Sequence, residues 1–401
     1  MAMKYPAFIR ENPPLALFAL LATATSGFGQ TFFVSVFGAG IRAEFSLTNS
    51  AYGLYYGLAT LCSALLLLKL GGLADRWSLW RVTLLALALL FSGCLVIGLA
   101  PHWSLLIPGF LLTRLGGQAM LSHLGMTVAS RYFLKSRGRI MALTAAGFPL
   151  AEALLPAGAS LILVRAGWRL PWFTAAGILL LVALPVLLSL ARHAAHPEER
   201  DRHSGSDSGG SLTRSQALRD PGFYLVLPAA LVTPFTVTAI IFHQAAIAEI
   251  RHWPMEVVGL AFSGFALGHF ASLFLAGPLI DRWGAQRSLP LALTPLFAGL
   301  LVLGLTEADW TPYLYLALTG TTLGAVGAAA GALWPERYGT RHIGGIRSVA
   351  QAAMVFSTAL SPLLIGALLD ANLPPSAVAF ILAACVALCA SLVTLARPAR
   401  H

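Results

Sequence analysis

Charge is scarce in this chain: Asp, Glu, Lys and Arg make up only 10% of its 401 residues, against about 25% in soluble domains. That shortage excludes an ordinary soluble globular fold. Cysteine is rarer still. Cys62, Cys94, Cys385 and Cys389 fall inside apolar stretches, and none has metal-ligand spacing with a histidine, so neither a disulfide framework nor a metal site is expected. No phosphate-binding loop occurs, which excludes ATP as the energy source, and no Ser/His/Asp grouping or HExxH motif offers catalysis. Long polar stretches are missing except at 192–221, and the remaining loops are too short to bury a separate catalytic core. The expectation is therefore a protein without enzymatic activity and without a cofactor.

Apolar residues occupy the space that charge leaves. They form 57% of the sequence, with a mean hydropathy of +0.77, the composition of an integral membrane protein. A helix needs about 20 such residues to cross the hydrocarbon layer. Twelve runs qualify, near 15–37, 51–70, 81–100, 104–127, 139–164, 170–191, 222–246, 257–280, 289–306, 311–334, 346–368 and 376–395. The first follows Lys4 and Arg10 but is too long for a cleavable signal core, so it is read as a retained helix. The fold class is an all-α membrane protein with twelve transmembrane helices.

The net charge of +10 raises the question of nucleic acid, and its distribution answers it. Of the 26 Lys and Arg residues, 21 fall on the side that holds the N-terminus. Arg42, Arg165, Arg169 and Arg251 fall on the other side, and Arg114 lies inside a span. Positive residues collect on cytoplasmic loops, so both termini are expected in the cytoplasm of a plasma-membrane (inner-membrane) protein. The basic charge faces lipid headgroups rather than nucleic acid. All nine tryptophans sit at or near span ends, where aromatic belts form.

The sequence also repeats. Gly71-Gly72-Leu73-Ala74-Asp75-Arg76-Trp77 returns 206 positions later as Gly277-Pro278-Leu279-Ile280-Asp281-Arg282-Trp283. Gly53, Arg131, Tyr132, Gly138, Ile140 and Pro156 recur at the same offset as Gly259, Arg337, Tyr338, Gly344, Ile346 and Pro362. A constant offset argues for duplication, and two related membrane halves are the usual plan of a secondary transporter. The halves are 1–191 and 222–401, each expected to be a six-helix bundle. Residues 192–221, rich in Ser, Gly and charge, join them as a flexible cytoplasmic linker.

The repeated loop resembles the signature of the major facilitator superfamily, Gly-x-Leu-Ala-Asp-Arg-x-Gly-Arg-Arg. The first copy departs from it at Ser78 and Leu79, and the second at Ala285 and Gln286. The resemblance implies two six-helix bundles working by alternating access, with the loop acting as a conformational latch. On that reading Gly71, Asp75 and Arg76, with Arg131, Arg137 and Arg139, form one latch, and Gly277, Asp281 and Arg282 its weaker copy. Asp75 stands just before a helix whose positive N-terminal dipole attracts it. The alternative is a solvated loop charge that only marks topology.

Arg114 is the most expensive residue in the sequence, since a charge deep in a span costs several kcal/mol and normally has a partner. Counting along their spans places Arg114 and Glu152 within about a turn of the bilayer midplane, so the two are expected to meet. Arg114-Leu115-Gly116-Gly117-Gln118 resembles the superfamily's fourth-span motif, whose arginine is associated with proton or substrate coupling. Gln118 lies one turn from Arg114, and the two glycines allow close helix approach. Glu152, between Pro149 and Pro156, is the candidate proton carrier; the competing reading is a static ion pair. At the 206 offset the counterparts are Gly320 and Thr358, so the pair belongs to one half only.

Gln30 and His243 are further substrate candidates, with Gln244, His269 and Gln351 behind them. Tyr52, Tyr55 and Tyr56 belong either to a cavity mouth or to the interfacial belt. The expected function is secondary transport of a small polar or anionic organic solute by alternating access, coupled to protons as a symport, in a monomeric protein. The alternatives are a proton-coupled exporter of amphipathic compounds and a transporter-shaped sensor that does not transport.

Overall fold

Backbone polar groups in lipid must be satisfied within their own segment, and helix is the regular structure throughout the described residues. The computed structural model describes residues 12–70, 72–133, 136–194, 212–339 and 342–396. Among these, ten helices are long and apolar enough to cross a membrane, or eleven if the bent pair Pro13–Gly29 and Thr31–Phe45 is one span. The expected fourth span lies outside that set. Its helical path runs through Leu106–Thr113, a widened π-helical stretch at Arg114–Leu121, and Ser122–Tyr132.

The chain divides into two compact units, Met1–Leu47 with Tyr55–Arg202, and Thr48–Leu54 with His203–His401. The division differs from equal halves at Thr48–Leu54, the start of the helix Asn49–Leu70. There the Asp370 carboxylate accepts the backbone N–H groups of Asn49 and Ser50 at 2.9 and 2.8 Å and the Ser50 hydroxyl at 2.6 Å. An acidic side chain at a helix N-terminus satisfies orphaned donors and complements the dipole.

In the first unit, the helix Pro13–Thr25 starts at Asn12, whose side chain accepts the Leu15 N–H, and it passes into a tight turn at Ser26–Gly29. Gln30 then takes an extended conformation (φ −89°, ψ 158°) before Thr31–Val34 resumes the helix, with a bend of 41°. Packing explains the break. A Cβ on Gly29 would stand 2.9 Å from the Gly117 Cα, and one on Gly27 would stand 2.5 Å from the Ala151 Cβ. Two neighbouring helices thus press on the same broken segment, and only glycine leaves room for them.

The two copies of the repeated loop fold differently, and their backbones also part at one aligned position. Met255–Trp283 is a continuous helix through Asp281 and Arg282, and Gly284 ends it at φ 79°, ψ 155°, a region open essentially only to glycine. The first copy has Ser78 at that position, and Ser78 adopts φ −62°, ψ 146°. Its helix ends at Leu70, and a separate short helix forms at Leu73–Arg76. Of the expected linker, 195–211 lies outside the described residues. Arg214–Arg219 is a short helix rather than flexible chain, opened by a capping box between Thr213 and Gln216.

Candidate functional site

The site in the first unit is built around the broken helix. Arg114 is 2% exposed, and the close crossing of Gly29 with Gly117 brings its helix against Thr31. Its Nη1 donates to the Thr31 hydroxyl at 3.4 Å, and its guanidinium carbon lies 4.9 Å from the centroid of the Tyr56 ring. Thr31 and the Tyr56 hydroxyl are bonded at 2.8 Å, and Phe110 packs edge-on against Tyr56 at 5.6 Å. An aromatic face attracts a cation by about 0.5–2 kcal/mol, less than the several kcal/mol of burying it. Arg114 Nε has no hydrogen-bond partner among the described residues.

This corrects the expected pairing. Among the described residues the guanidinium meets Thr31 and Tyr56, and no carboxylate is paired with it. Glu152 is 4% exposed in the helix Gly147–Ala166, next to Ala151, which touches the other side of the break at Gly27. Arg114 and Glu152 therefore flank one segment instead of bonding each other. Gln30, half-buried, occupies the extended residue of that segment, and Gln118 is half-buried in the widened helix. The confinement of Arg114 to one half also acquires a cause. A Cβ at Gly320 would lie 2.8 Å from the Phe265 carbonyl carbon, so the equivalent position in the second unit has no room for a side chain.

In the second unit His243 is buried, and its Nε2 donates to the Pro362 carbonyl at 2.7 Å. The carbonyl can only accept, so that nitrogen carries the proton. This bond joins two helices, a structural use for a candidate substrate ligand. Gln244 accepts the Tyr315 hydroxyl, and Tyr315 stacks on Trp253. His269 is buried beside Phe265, and Gln351 is exposed. Of the aromatic candidates, Tyr52 stacks on Phe242 and Tyr55 on Trp103.

Of the expected latch, Gly71 lies outside the described residues, as do the side chains of Asp75 and Arg137. Arg76, Arg131, Arg139, Asp281 and Arg282 are exposed, and Gly277 is half-buried. The built charge cluster in the second unit uses other residues. Arg337, 5% exposed, donates from Nη2 to Asp220 Oδ2 at 2.9 Å and from Nη1 to Gln286 Oε1 at 2.8 Å. The Tyr338 hydroxyl donates to the same Asp220 oxygen at 2.8 Å. Gln286 stands where the signature has arginine, and its carbonyl suits Arg337 as a second cation would not. Burial alone would raise the Asp220 pKa; hydrogen bonds from Arg337, the Gly222 N–H and Tyr338, with the charge of Arg337, hold it below the usual carboxylate value. Sequence reasoning missed this cluster, although Arg337 at the offset of Arg131 and Asp220 before Pro221 were its signals.

The Major Facilitator Superfamily model matches residues 19–254 and 226–401. No curated protein matches the sequence. Among solved structures, the chain is similar to a bacterial homolog of the human lysosomal transporter Spinster in an inward-facing, unoccupied conformation. The identity is 17%, over 95% of this chain and 94% of that one, with a TM-score of 0.67. The same kind of homolog in an inward-facing, occupied conformation gives 16% identity over 94% and 93%, with a TM-score of 0.63.

Proposed function

We propose a transport function from one premise: the chain belongs to the major facilitator superfamily. It is a secondary active transporter of a small anionic organic solute, working by alternating access and driven by protons. The observation that carries the anionic reading is Arg114, a buried guanidinium held by a hydroxyl and an aromatic face with one donor unpaired. A carboxylate brings the two oxygens that a planar guanidinium fork can grip. Glu152 lies on the other side of the break at 26–31, close enough in the fold to sense a shift of that segment, and it carries the coupling proton. Twelve spans with both termini in the cytoplasm complete the reading, with the interrupted helix through Arg114 as the fourth. A monomer in the plasma (inner) membrane is the working unit.

A thermal-shift screen of small metabolites on the purified protein tests the substrate class. Carboxylates should raise the melting temperature of the wild type and lose most of that effect in Arg114→Lys, which keeps charge but not the planar fork. A folded Arg114→Lys protein that responds like the wild type would remove Arg114 from the site.

A further inference from the structure

The helices Ala285–Leu305 and Pro375–Leu395 border an open groove in the second unit, lined by none of the residues assigned above to transport. Its volume is about 860 Å³, within the range of sites that hold whole ligands. Arg287, Pro290, Leu291 and Thr294 line it from the first helix and Ala390 and Val393 from the second. The first four recur at helical spacing, so they form one stripe. Gln286 donates to the Ala396 carbonyl at 2.7 Å, tying the two helices together at the end where Arg287 stands. Arg287 is exposed, and among the described residues no carboxylate pairs with it. The groove thus has one basic end, and running away from it apolar Pro290, Leu291, Ala390 and Val393 beside the hydroxyls of Thr294, Ser391 and Thr394. Basic pockets between membrane helices on the cytoplasmic side match anionic lipid headgroups.

We propose that this groove seats an anionic phospholipid, its phosphate on Arg287 and its acyl chains along Pro290, Leu291, Ala390 and Val393. The cytoplasmic leaflet as its source rests on the topology proposed above; the groove itself does not. The test uses the full chain, purified in detergent and delipidated, and reads lipid retention by native mass spectrometry with the melting temperature alongside. Phosphatidylglycerol should be retained and raise the melting temperature, and phosphatidylcholine with the same acyl chains should do neither. Arg287→Ala should weaken phosphatidylglycerol binding about five-fold, the effect of one basic residue at a lipid surface, and Ala390→Phe should block the groove. Arg347→Ala, an exposed charge on another helix, should bind like the wild type. Equal retention of the two lipids would overturn the proposal, as would wild-type binding by Arg287→Ala. An equal shift from glycerol phosphate alone would show a phosphate site without a lipid groove, and would overturn it too.

Discussion

At the scale of single residues, partners decide what each charge does. Arg114 was legible in the sequence as a buried cation, but its surroundings were not, because Thr31 and Tyr56 come from two other helices and neither is charged. The carboxylate that span counting puts at the same depth is Glu152, whose neighbour Ala151 packs on the broken segment at Gly27. Asp220 shows the reverse case, a satisfied acid with Arg337, Tyr338 and Gly222 around it. A carboxylate whose pKa falls on folding adds stability above its unfolded value, and that stability is lost as pH drops through the folded value. Asp220→Asn should therefore melt at a lower temperature than the wild type at pH 7. The gap should close as pH falls below the ordinary value of 3.8. Melting curves across pH 7 to 3 check this; a gap that stays constant would show that the charge of Asp220 contributes nothing.

Helices and loops were more legible than contacts. Apolar runs of span length gave most of the helices, because in lipid the hydropathy of a segment and its hydrogen-bond closure impose the same answer. The breaks were less legible. Gly27 and Gly29 signal permissiveness, but only the approach of Gly117 and Ala151 turns it into a bend at Gln30. Gly117→Ala should place its Cβ 2.8 Å from Gly29, forcing the helices apart at a cost of about 1–3 kcal/mol. Transport should fall with it, because the same crossing holds Arg114 beside Thr31. Gly284→Ala puts a side chain into a backbone region reserved for glycine, a strain of about 1–3 kcal/mol. Its effect should appear chiefly in melting temperature, since Gly284 ends a helix and takes no part in the Gly29–Gly117 crossing. Thermal melting with substrate retention separates the two. Equal losses of retention in both variants would refute the special role of the crossing.

For the molecule as a whole, the sequence carried its class in three independent ways: hydropathy, the 206-residue repeat and the sorting of charge. It could not carry the division at Thr48–Leu54, where the partners, Pro362, Gly366 and Asp370, lie more than 300 positions away. Nor did the repeat announce that Gly320 has no room for the arginine of the other half. The charge sorting predicts a cytoplasmic Ser206 and an extracytoplasmic Asp309. Cysteines placed there in a cysteine-free background should react with an impermeant thiol reagent from opposite sides of the membrane, and labelling from one side would break the span count. The central claim is proton-driven movement of an organic anion past Arg114 and Glu152, and uptake by the purified protein in liposomes tests it most directly. Labelled small carboxylates should accumulate when a pH gradient is imposed. Glu152→Gln should abolish that accumulation yet still exchange substrate for substrate, and Arg114→Gln should do neither. A folded Glu152→Gln protein that still concentrates a carboxylate in response to the gradient would contradict the account.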